Sequence, residues 1–326
     1  MNNNYYEEYE LMLGISTLKK IYFKKIIDPY KKSEKIVDLH AHTNYSDGEL
    51  SPYDLIKLAI EKRISTIAIT DHNTIEGVKN LNKNDPLITD SGIKIINGIE
   101  LSAQMTKGKM HILGYDIDIN NKDLNDNLKN LKTISLNSVL SIIEQIKRDY
   151  GITFSYDDLV ELINSNHNLG RADIAKLCVK NGYSNTIDEA FIKYLNDAYK
   201  KTIELNNKPT FEKCINLIKN SNGLSVLAHP NSLKLDEKEF LILLKKLIDA
   251  GLNGIEVYHS SHSKKDIEYY LEIANKYNLL VSGGSDFHGK NVKPEIELGT
   301  GKNNNLKIKK LSILSQIQKE KKEKIY

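Results

Sequence analysis

Two histidines and an aspartate in residues 37–48 are spaced as the ligands of a metal ion often are. His40 and His42 alternate with apolar residues in the stretch VDLHAHTNYSDG, residues 37–48, and this alternation predicts a β-strand. Side chains two positions apart leave a strand on the same face, so both imidazoles point the same way. Asp47 follows in a polar turn. Two imidazoles and a carboxylate at one strand end are typical ligands of a divalent transition metal.

Further histidines and acidic residues lie where later predicted strands end. Seven of the nine histidines are at or just after a predicted strand: His40, His42, His72, His111, His229, His259 and His288. The same kind of position is occupied by four carboxylates: Asp47, Asp71, Glu100 and Asp286. Because parallel strands end at one edge of an α/β sheet, we expect these side chains to form one site. About ten nitrogen and oxygen ligands without a thiolate suit two or three ions of Mn²⁺, Fe²⁺ or Zn²⁺ and disfavour Ca²⁺.

The pattern of apolar residues predicts how these side chains are positioned. Strand-length apolar runs alternate with amphipathic stretches of helix length, which indicates an α/β body with parallel strands. Residues 118–210 have helical patterns throughout, so we interpret them as an inserted helical subdomain. The sequence thus predicts four parts: an N-terminal helical extension at 1–35, the α/β body at 36–117 and 211–300, the helical insert or cap at 118–210, and a C-terminal basic helix and tail at 301–326.

The composition excludes several functional classes. The 326 residues include 46 basic and 43 acidic side chains, and this balance predicts no stable binding of duplex nucleic acid. Cys178 and Cys214 lack a metal-ligand spacing, and the polar start MNNNYYEEYE lacks an apolar signal segment. There is no run of about 18 apolar residues. We therefore expect a cytoplasmic protein that does not enter a membrane.

Six short motifs occur in an order that resembles one known family. They are HAHTNYSDG, ITDHNT, GIE, HILGY, LAHP and GSDFHG, and they lie within residues 36–300. Together they are similar to the ordered motifs of the PHP (polymerase and histidinol phosphatase) family. The layout most resembles stand-alone phosphoesterases, which include nucleoside 3′,5′-bisphosphate phosphatases and RNase AM-type 5′→3′ exonucleases. The resemblance implies a distorted (β/α)₇ barrel with an inserted helical domain and a site for three metal ions.

The resemblance also implies a role for individual residues. The first metal would be held by His40, His42, Glu100 and Asp286, the second by Asp47, His72 and His288, and the third by Glu100, His111 and His229. Asp71 would not bind a metal itself but would orient the ligands or a metal-bound water. Arg171, in the stretch NLGRADIAK, matches an arginine of the insert that faces the phosphate.

Two further histidines are interpreted from their positions alone. His259 follows the predicted strand ending IEVY directly, so we expect it to point into the site. There it would contact the phosphate or act as a general acid. His262 lies further along the chain, and we expect it at the surface.

These observations predict an enzyme that hydrolyses phosphate esters. A metal-activated hydroxide would attack phosphorus in line, and the ions and an arginine would stabilise the negative charge that develops. We expect the substrate to be a nucleotide or a short oligonucleotide, with a nucleoside 3′,5′-bisphosphate as the first candidate.

Three alternatives stay open on the sequence. The first is a phosphatase for histidinol phosphate or another small molecule. The second is an amidohydrolase, whose first strand also carries an HxH motif, although no lysine at a strand end suits the carboxylated bridge of such enzymes. The third is a non-catalytic module that keeps the metal site.

Overall fold

A seven-stranded sheet curls into a nearly closed barrel at the centre of the fold. The computed structural model describes residues 36–164, 169–202 and 208–323, so the expected extension at 1–35 lies outside the described residues. The strands neighbour one another in chain order. They are β1 (Ile36–Ala41), β2 (Ile64–Ile69), β3 (Lys94–Ala103), β4 (Met110–Tyr115), β5 (Leu224–Leu227), β6 (Gly254–His259) and β7 (Leu280–Gly284), with a separate ribbon of β8 (Ile296–Glu297) and β9 (Gly301–Lys302).

One strand of the barrel runs against the others. β4 pairs antiparallel with both β3 and β5, whereas the remaining neighbours pair parallel. The expectation that all strands are parallel is therefore wrong for β4. β4 runs antiparallel because only residues 104–109 connect it to β3, whereas a parallel neighbour needs a crossover of a dozen or more residues. The predicted α/β barrel with a helical insert is otherwise confirmed.

The barrel closes between β1 and the residues that follow β7. The His42 N–H donates to the Phe287 carbonyl at 2.9 Å, and the Asp286 N–H donates to the His40 carbonyl at 2.8 Å. Gly284 permits this close approach, because a Cβ there would lie 2.3 Å from the His40 nitrogen. Closure thus brings the first histidine motif against the GSDFHG motif.

The buried carboxylate of Asp38 ties three chain segments together at this closure. It accepts hydrogen bonds from the Ser285 N–H at 2.9 Å, the Ser285 hydroxyl at 2.6 Å and the Gly299 N–H at 2.7 Å. The His40 N–H is a fourth donor at 3.2 Å. Burial nevertheless raises the pKa of Asp38, so the four donors only partly offset the loss of water.

Helices cover the outside of the barrel and extend it. The first begins after Ser51, whose side chain accepts a hydrogen bond from the Asp54 N–H, and it has proline in its first turn. No helix of the described ranges is both long enough and apolar enough to cross a membrane. The described α-helices are α1 (Pro52–Glu61), α2 (Glu76–Lys79), α3 (Pro86–Ser91), α4 (Lys122–Tyr150), α5 (Tyr156–Ile163), α6 (Arg171–Lys180), α7 (Ile187–Ala190), α8 (Asn196–Lys201), α9 (Phe211–Asn220), α10 (Glu237–Asp249), α11 (Lys264–Tyr277) and α12 (Ser312–Glu323).

The helices between β4 and β5 bury an apolar core of their own. Side chains of α4, α6 and α8 meet in this core, among them Val139, Ile142, Ile174 and Ala198. Within this insert, α7 continues into a π-helical turn, Phe191–Leu195, before α8. These helices therefore form a wall beside the barrel, while Leu124 and Leu128 at the start of α4 pack in the barrel core.

The C-terminal segment packs against the sheet next to β1. Ile308 accepts a hydrogen bond from the Val37 N–H at 2.9 Å, and Ile313 and Ile317 of α12 are buried in the same apolar cluster as Leu39. These contacts help to fix β1, the strand that carries the first histidine motif.

We predict that Asp38→Ala destabilises the protein by about 3 kcal/mol or more, because it leaves buried N–H donors without an acceptor. Urea unfolding followed by circular dichroism measures this difference. Asp90→Ala is the control, since Asp90 is exposed on α3 and its loss should change stability by no more than about 0.5 kcal/mol. Equal stability of the two variants would contradict the proposed importance of the closure.

Candidate metal centre

The carboxylate of Glu100 lies at the centre of a cluster of histidines. Glu100 is fully buried on β3, close to the edge of the barrel. Five imidazoles each place a nitrogen between 2.8 and 3.3 Å from one of its two oxygens: His40, His42, His72, His111 and His229. One carboxylate thus contacts side chains from five separate positions of the barrel.

The strands bring these histidines together because of where each strand begins or ends. His40 lies at the end of β1, and His72 follows β2 and forms a β-bridge with Glu100. His229 follows β5 in the same sense. His111 arrives differently, because β4 is antiparallel and therefore begins at the edge where its neighbours end.

Three more of the expected ligands complete the cluster: Asp47, Asp286 and His288. Asp47 Oδ1 lies 3.2 Å from His288 Nε2, and its Oδ2 lies 3.8 Å from His72 Nε2. Asp286 Oδ1 lies 3.5 Å from the Nε2 atom of His40 and 3.3 Å from that of His42. The structure therefore brings all nine expected metal ligands into one cluster.

Hydrogen bonds fix the position of the proton on two of the histidines. His40 Nδ1 lies 2.9 Å from Glu256 Oε1, and His288 Nδ1 lies 2.8 Å from the Asp286 carbonyl oxygen. Both partners accept hydrogen bonds, so we assign the proton of the neutral imidazole to Nδ1. The Nε2 atom of each ring then carries a lone pair, and it points into the cluster.

His229 has the same arrangement. Its Nδ1 lies 2.8 Å from the Ser232 hydroxyl, and that hydroxyl donates to the Lys109 carbonyl at 2.9 Å. The hydroxyl can therefore only accept a hydrogen bond from His229. The Nε2 lone pair of His229 faces Glu100 Oε1 at 2.9 Å, so two electron-rich atoms point at each other.

Divalent ions fit this donor set. Lone pairs face carboxylate oxygens stably at such distances only when a proton or a metal ion lies between them. His40 Nε2, His42 Nε2 and Glu100 Oε2 are buried and, within the described part of the chain, form no hydrogen bond. Protonating all the rings instead would crowd positive charges, since the His42 and His288 ring centroids are 4.1 Å apart.

The charges of the cluster shift the pKa values of its members. Burial raises the pKa of Glu100, but the surrounding imidazoles outweigh it and hold the pKa well below its usual range. The same balance lowers the pKa of Asp47 and Asp286. Burial depresses the pKa of His42, yet the adjacent carboxylates of Asp286 and Glu100 raise it to about 9. Three ionised carboxylates at neutral pH make the site attractive to cations.

Asp71 lies behind the cluster rather than in it. Its carboxylate accepts hydrogen bonds from the Thr43 N–H at 2.6 Å, the Thr43 hydroxyl at 2.7 Å and the Ser46 hydroxyl at 2.8 Å. These contacts hold the turn between His42 and Asp47. Asp71 therefore contacts the turn that carries His42 and Asp47, two of the expected ligands.

His259 points into the cluster, as its position predicts. Its Nδ1 accepts a hydrogen bond from the Ser261 N–H at 3.1 Å, so the neutral ring carries its proton on Nε2. That Nε2 lies 3.5 Å from Asp286 Oδ2. His259 thus presents a donor toward the site, whereas His40, His229 and His288 present lone pairs.

The expectation that His262 lies at the surface is wrong. Its side chain is buried, its Nδ1 lies 2.8 Å from the Val257 carbonyl oxygen, and its ring lies 5.0 Å from that of Tyr270. The turn after β6 folds back against α11, which removes His262 from water. It does not join the cluster.

Arg171 lines a cavity that opens onto the cluster from the side of the helical insert. The cavity has a volume of about 340 Å³. Asp47 and His72 line its barrel side, and Arg171 and Lys208 line its insert side. The remaining wall is largely apolar and includes Leu131, Ile134, Val139 and Phe191. Positive charge therefore faces the cluster across a space that a small molecule could fill.

Sequence reasoning missed two charged residues beside the cluster. Glu256 is fully buried, bonds His40 Nδ1 and accepts the His229 N–H at 2.7 Å. Its signal was available, because a carboxylate within the apolar run GIEVY can be tolerated only with buried partners. Lys293 donates to Asp286 Oδ2 at 2.7 Å, and no pattern in the loop that carries it distinguishes it from other lysines.

Comparison with known proteins gives consistent similarities. The PHP domain family model matches residues 38–282. The 5′-3′ exoribonuclease Rnm of Salmonella typhimurium is 32% identical over 267 residues, which is 81% of this chain and 88% of the relative. The 3′,5′-nucleoside bisphosphate phosphatase of Chromobacterium violaceum is 28% identical over 77% of this chain and 87% of its own. A crystal structure from Bifidobacterium adolescentis, assigned as a metal-dependent phosphoesterase, superposes with a TM-score of 0.68 at 27% identity and covers 87% of this chain and 95% of its own.

We predict that Glu256→Gln weakens Mn²⁺ binding by about 10- to 100-fold, because the amide holds the His40 ring less firmly and makes Nε2 a poorer donor. Titration calorimetry of the metal-free protein measures the affinity. Glu268→Gln is the matched control, since Glu268 is exposed on α11 and lies outside the cluster. Unchanged Mn²⁺ affinity in Glu256→Gln would contradict the role given to this carboxylate.

Proposed function

The chain belongs to the PHP domain family and is a metal-dependent hydrolase of phosphate esters, and we propose that its substrate is a nucleotide that carries a second phosphate. This substrate class includes nucleoside 3′,5′-bisphosphates and short oligonucleotides with a terminal phosphate. The named activities of the exoribonuclease and bisphosphate phosphatase relatives support this substrate class.

One observation carries the reaction type. Imidazole lone pairs of His40, His229 and His288 face the carboxylates of Glu100, Asp47 and Asp286 at distances that favour a cation between them. We propose the nine residues of the cluster as ligands of two or three Mn²⁺, Fe²⁺ or Zn²⁺ ions, with Glu100 shared. Bound ions would supply an activated water and positive charge opposite the phosphate.

The protein's own groups have three tasks in this reaction. Asp71 holds the turn that fixes His42 and Asp47, so these side chains need not reorganise during the reaction. The Nε2–H of His259 is aimed at the site and can donate to the phosphate or to the leaving oxygen. Burial of His40, His42 and Glu100 keeps bulk water away from the centre of the cluster, which strengthens the charge interactions there.

Arg171 would bind the second phosphate. Its guanidinium is planar and permanently charged, which suits the paired oxygens of a phosphate. The cavity between Arg171 and the cluster has room for a small ligand, and its apolar wall suits a base or a sugar. Among the described residues that line the cavity, the lysines and arginines are Arg171, Lys176 and Lys208. So small a number of positive side chains favours short substrates over a long nucleic acid.

A direct assay separates this proposal from the histidinol phosphate alternative. Release of inorganic phosphate is measured with Mn²⁺ and either adenosine 3′,5′-bisphosphate or histidinol phosphate. We expect kcat/KM to be higher for the bisphosphate. Release from histidinol phosphate alone would refute the nucleotide assignment while leaving the phosphoesterase activity intact.

We predict that Glu100→Ala abolishes phosphate release, because the cluster loses the carboxylate that five imidazoles share. Far-UV circular dichroism should remain that of the wild type, since the strand around Glu100 keeps its hydrogen bonds. Turnover near the wild-type rate in this variant would remove Glu100 from the mechanism.

Arg171→Ala should raise KM for adenosine 3′,5′-bisphosphate by about 10- to 100-fold, which corresponds to the loss of one charged hydrogen-bonded contact. The same substitution should leave KM for 4-nitrophenyl phosphate within about twofold, because that substrate has a single phosphate. An equal effect on both substrates would argue against a second-phosphate contact.

A further inference from the structure

A π-helical turn interrupts the insert helix that faces the cavity. Residues 191–195 form this turn between α7 and α8, and the Asn196 N–H bonds the Phe191 carbonyl five residues earlier. Such turns are rare, since they hold one more residue than an α-helical turn, and they are often found at functional sites. The sequence alone predicts an unbroken helix here.

The extra residue changes which side chains share a face. In a regular α-helix, residues eight apart are rotated by about 80° after two full turns. One residue absorbed by the wide turn makes the spacing equivalent to seven, which leaves an offset of about 20°. Phe191 and Tyr199 are eight residues apart, so the π-turn aligns their rings on one face, two turns apart.

Both aligned rings contact Arg171. The guanidinium carbon lies 4.1 Å from the centroid of the Tyr199 ring and 5.4 Å from that of Phe191. Both distances are within the range of cation–π attraction. Among the described residues no carboxylate forms an ion pair with this guanidinium, and burial lowers the pKa of Arg171. The two aromatic rings therefore hold the guanidinium in place, and its positive charge stays available to bind an anion.

We propose that Phe191 and Tyr199 are positioning residues that hold the Arg171 guanidinium toward the anionic group of the substrate. The π-turn places both rings on the same face of the helix, where they can do so. This inference rests on the proposed contact between Arg171 and a second phosphate. A flexible arginine loses side-chain entropy when it binds a ligand, and two ring faces remove part of that cost beforehand. The rings therefore act on the affinity for the second phosphate and leave the bond-breaking step unchanged.

The test compares Tyr199→Leu with Tyr199→Phe in the full-length Mn²⁺-loaded enzyme. Leucine keeps an apolar side chain but removes the ring, whereas phenylalanine keeps the ring. We expect Tyr199→Leu to raise KM for adenosine 3′,5′-bisphosphate by about 3- to 30-fold, with kcat changed less than about twofold. Tyr199→Phe should stay close to the wild type. KM for 4-nitrophenyl phosphate should not change in either variant.

A double-mutant cycle shows whether the ring acts through Arg171. Tyr199→Leu should have no further effect on KM in an Arg171→Ala background. An undiminished effect in that background, an equal effect on 4-nitrophenyl phosphate, or no effect in the wild-type background would each overturn the inference. An impaired Arg171→Ala with a normal Tyr199→Leu overturns the positioning role alone. A normal Arg171→Ala overturns the proposed phosphate contact together with it.

A second measurement needs no activity. The side-chain Nε–H signal of Arg171 in an NMR spectrum of the wild type should show a ring-current shift, which Tyr199→Leu reduces and Tyr199→Phe keeps. Identical Arg171 signals in Tyr199→Leu and the wild type would overturn the inference even if the enzyme cleaved neither substrate.

Discussion

The burial of the Glu100 carboxylate among five imidazoles determines how the side chains of the site must be arranged. A buried charge is costly unless it is compensated, and five rings around one carboxylate provide compensation only when protons or metal ions occupy the spaces between them. Strand ends from most of the barrel must converge for this arrangement to exist. The barrel's closure at Asp38, its antiparallel β4 and its close approach at Gly284 all serve that convergence.

The helical insert adds what the barrel edge lacks. The cluster provides ligands for cations and one donor, His259, but its own residues offer little to hold the rest of a substrate. Arg171 stands at the start of α6 in the insert and lines the same cavity as Asp47 and His72 of the cluster. This division is consistent with relatives that share the barrel and are named for different phosphate esters.

Much of the site was predictable because its residues carry local signals. His40 and His42 mark their strand by alternation, and GSDFHG follows a short apolar run. Glu256 was missed because its partners, His40 and the His229 backbone, are far away in the chain. The burial of His262 depends on how the turn after β6 folds, which no periodicity encodes.

Two features of the fold were also beyond sequence patterns, for related reasons. The direction of β4 depends on the length of the connection before it, so counting residues 104–109 would have indicated an antiparallel pair. The π-turn at 191–195 has no local signal either, because its residues are compatible with a regular helix.

Anomalous diffraction from crystals grown with Mn²⁺, recorded at the manganese absorption edge, locates the ions that the cluster binds. We expect two or three anomalous peaks within bonding distance of the imidazole nitrogens, with Glu100 oxygens contacting more than one of them. Peaks confined to the protein surface, or a cluster without any peak at saturating Mn²⁺, would contradict this expectation.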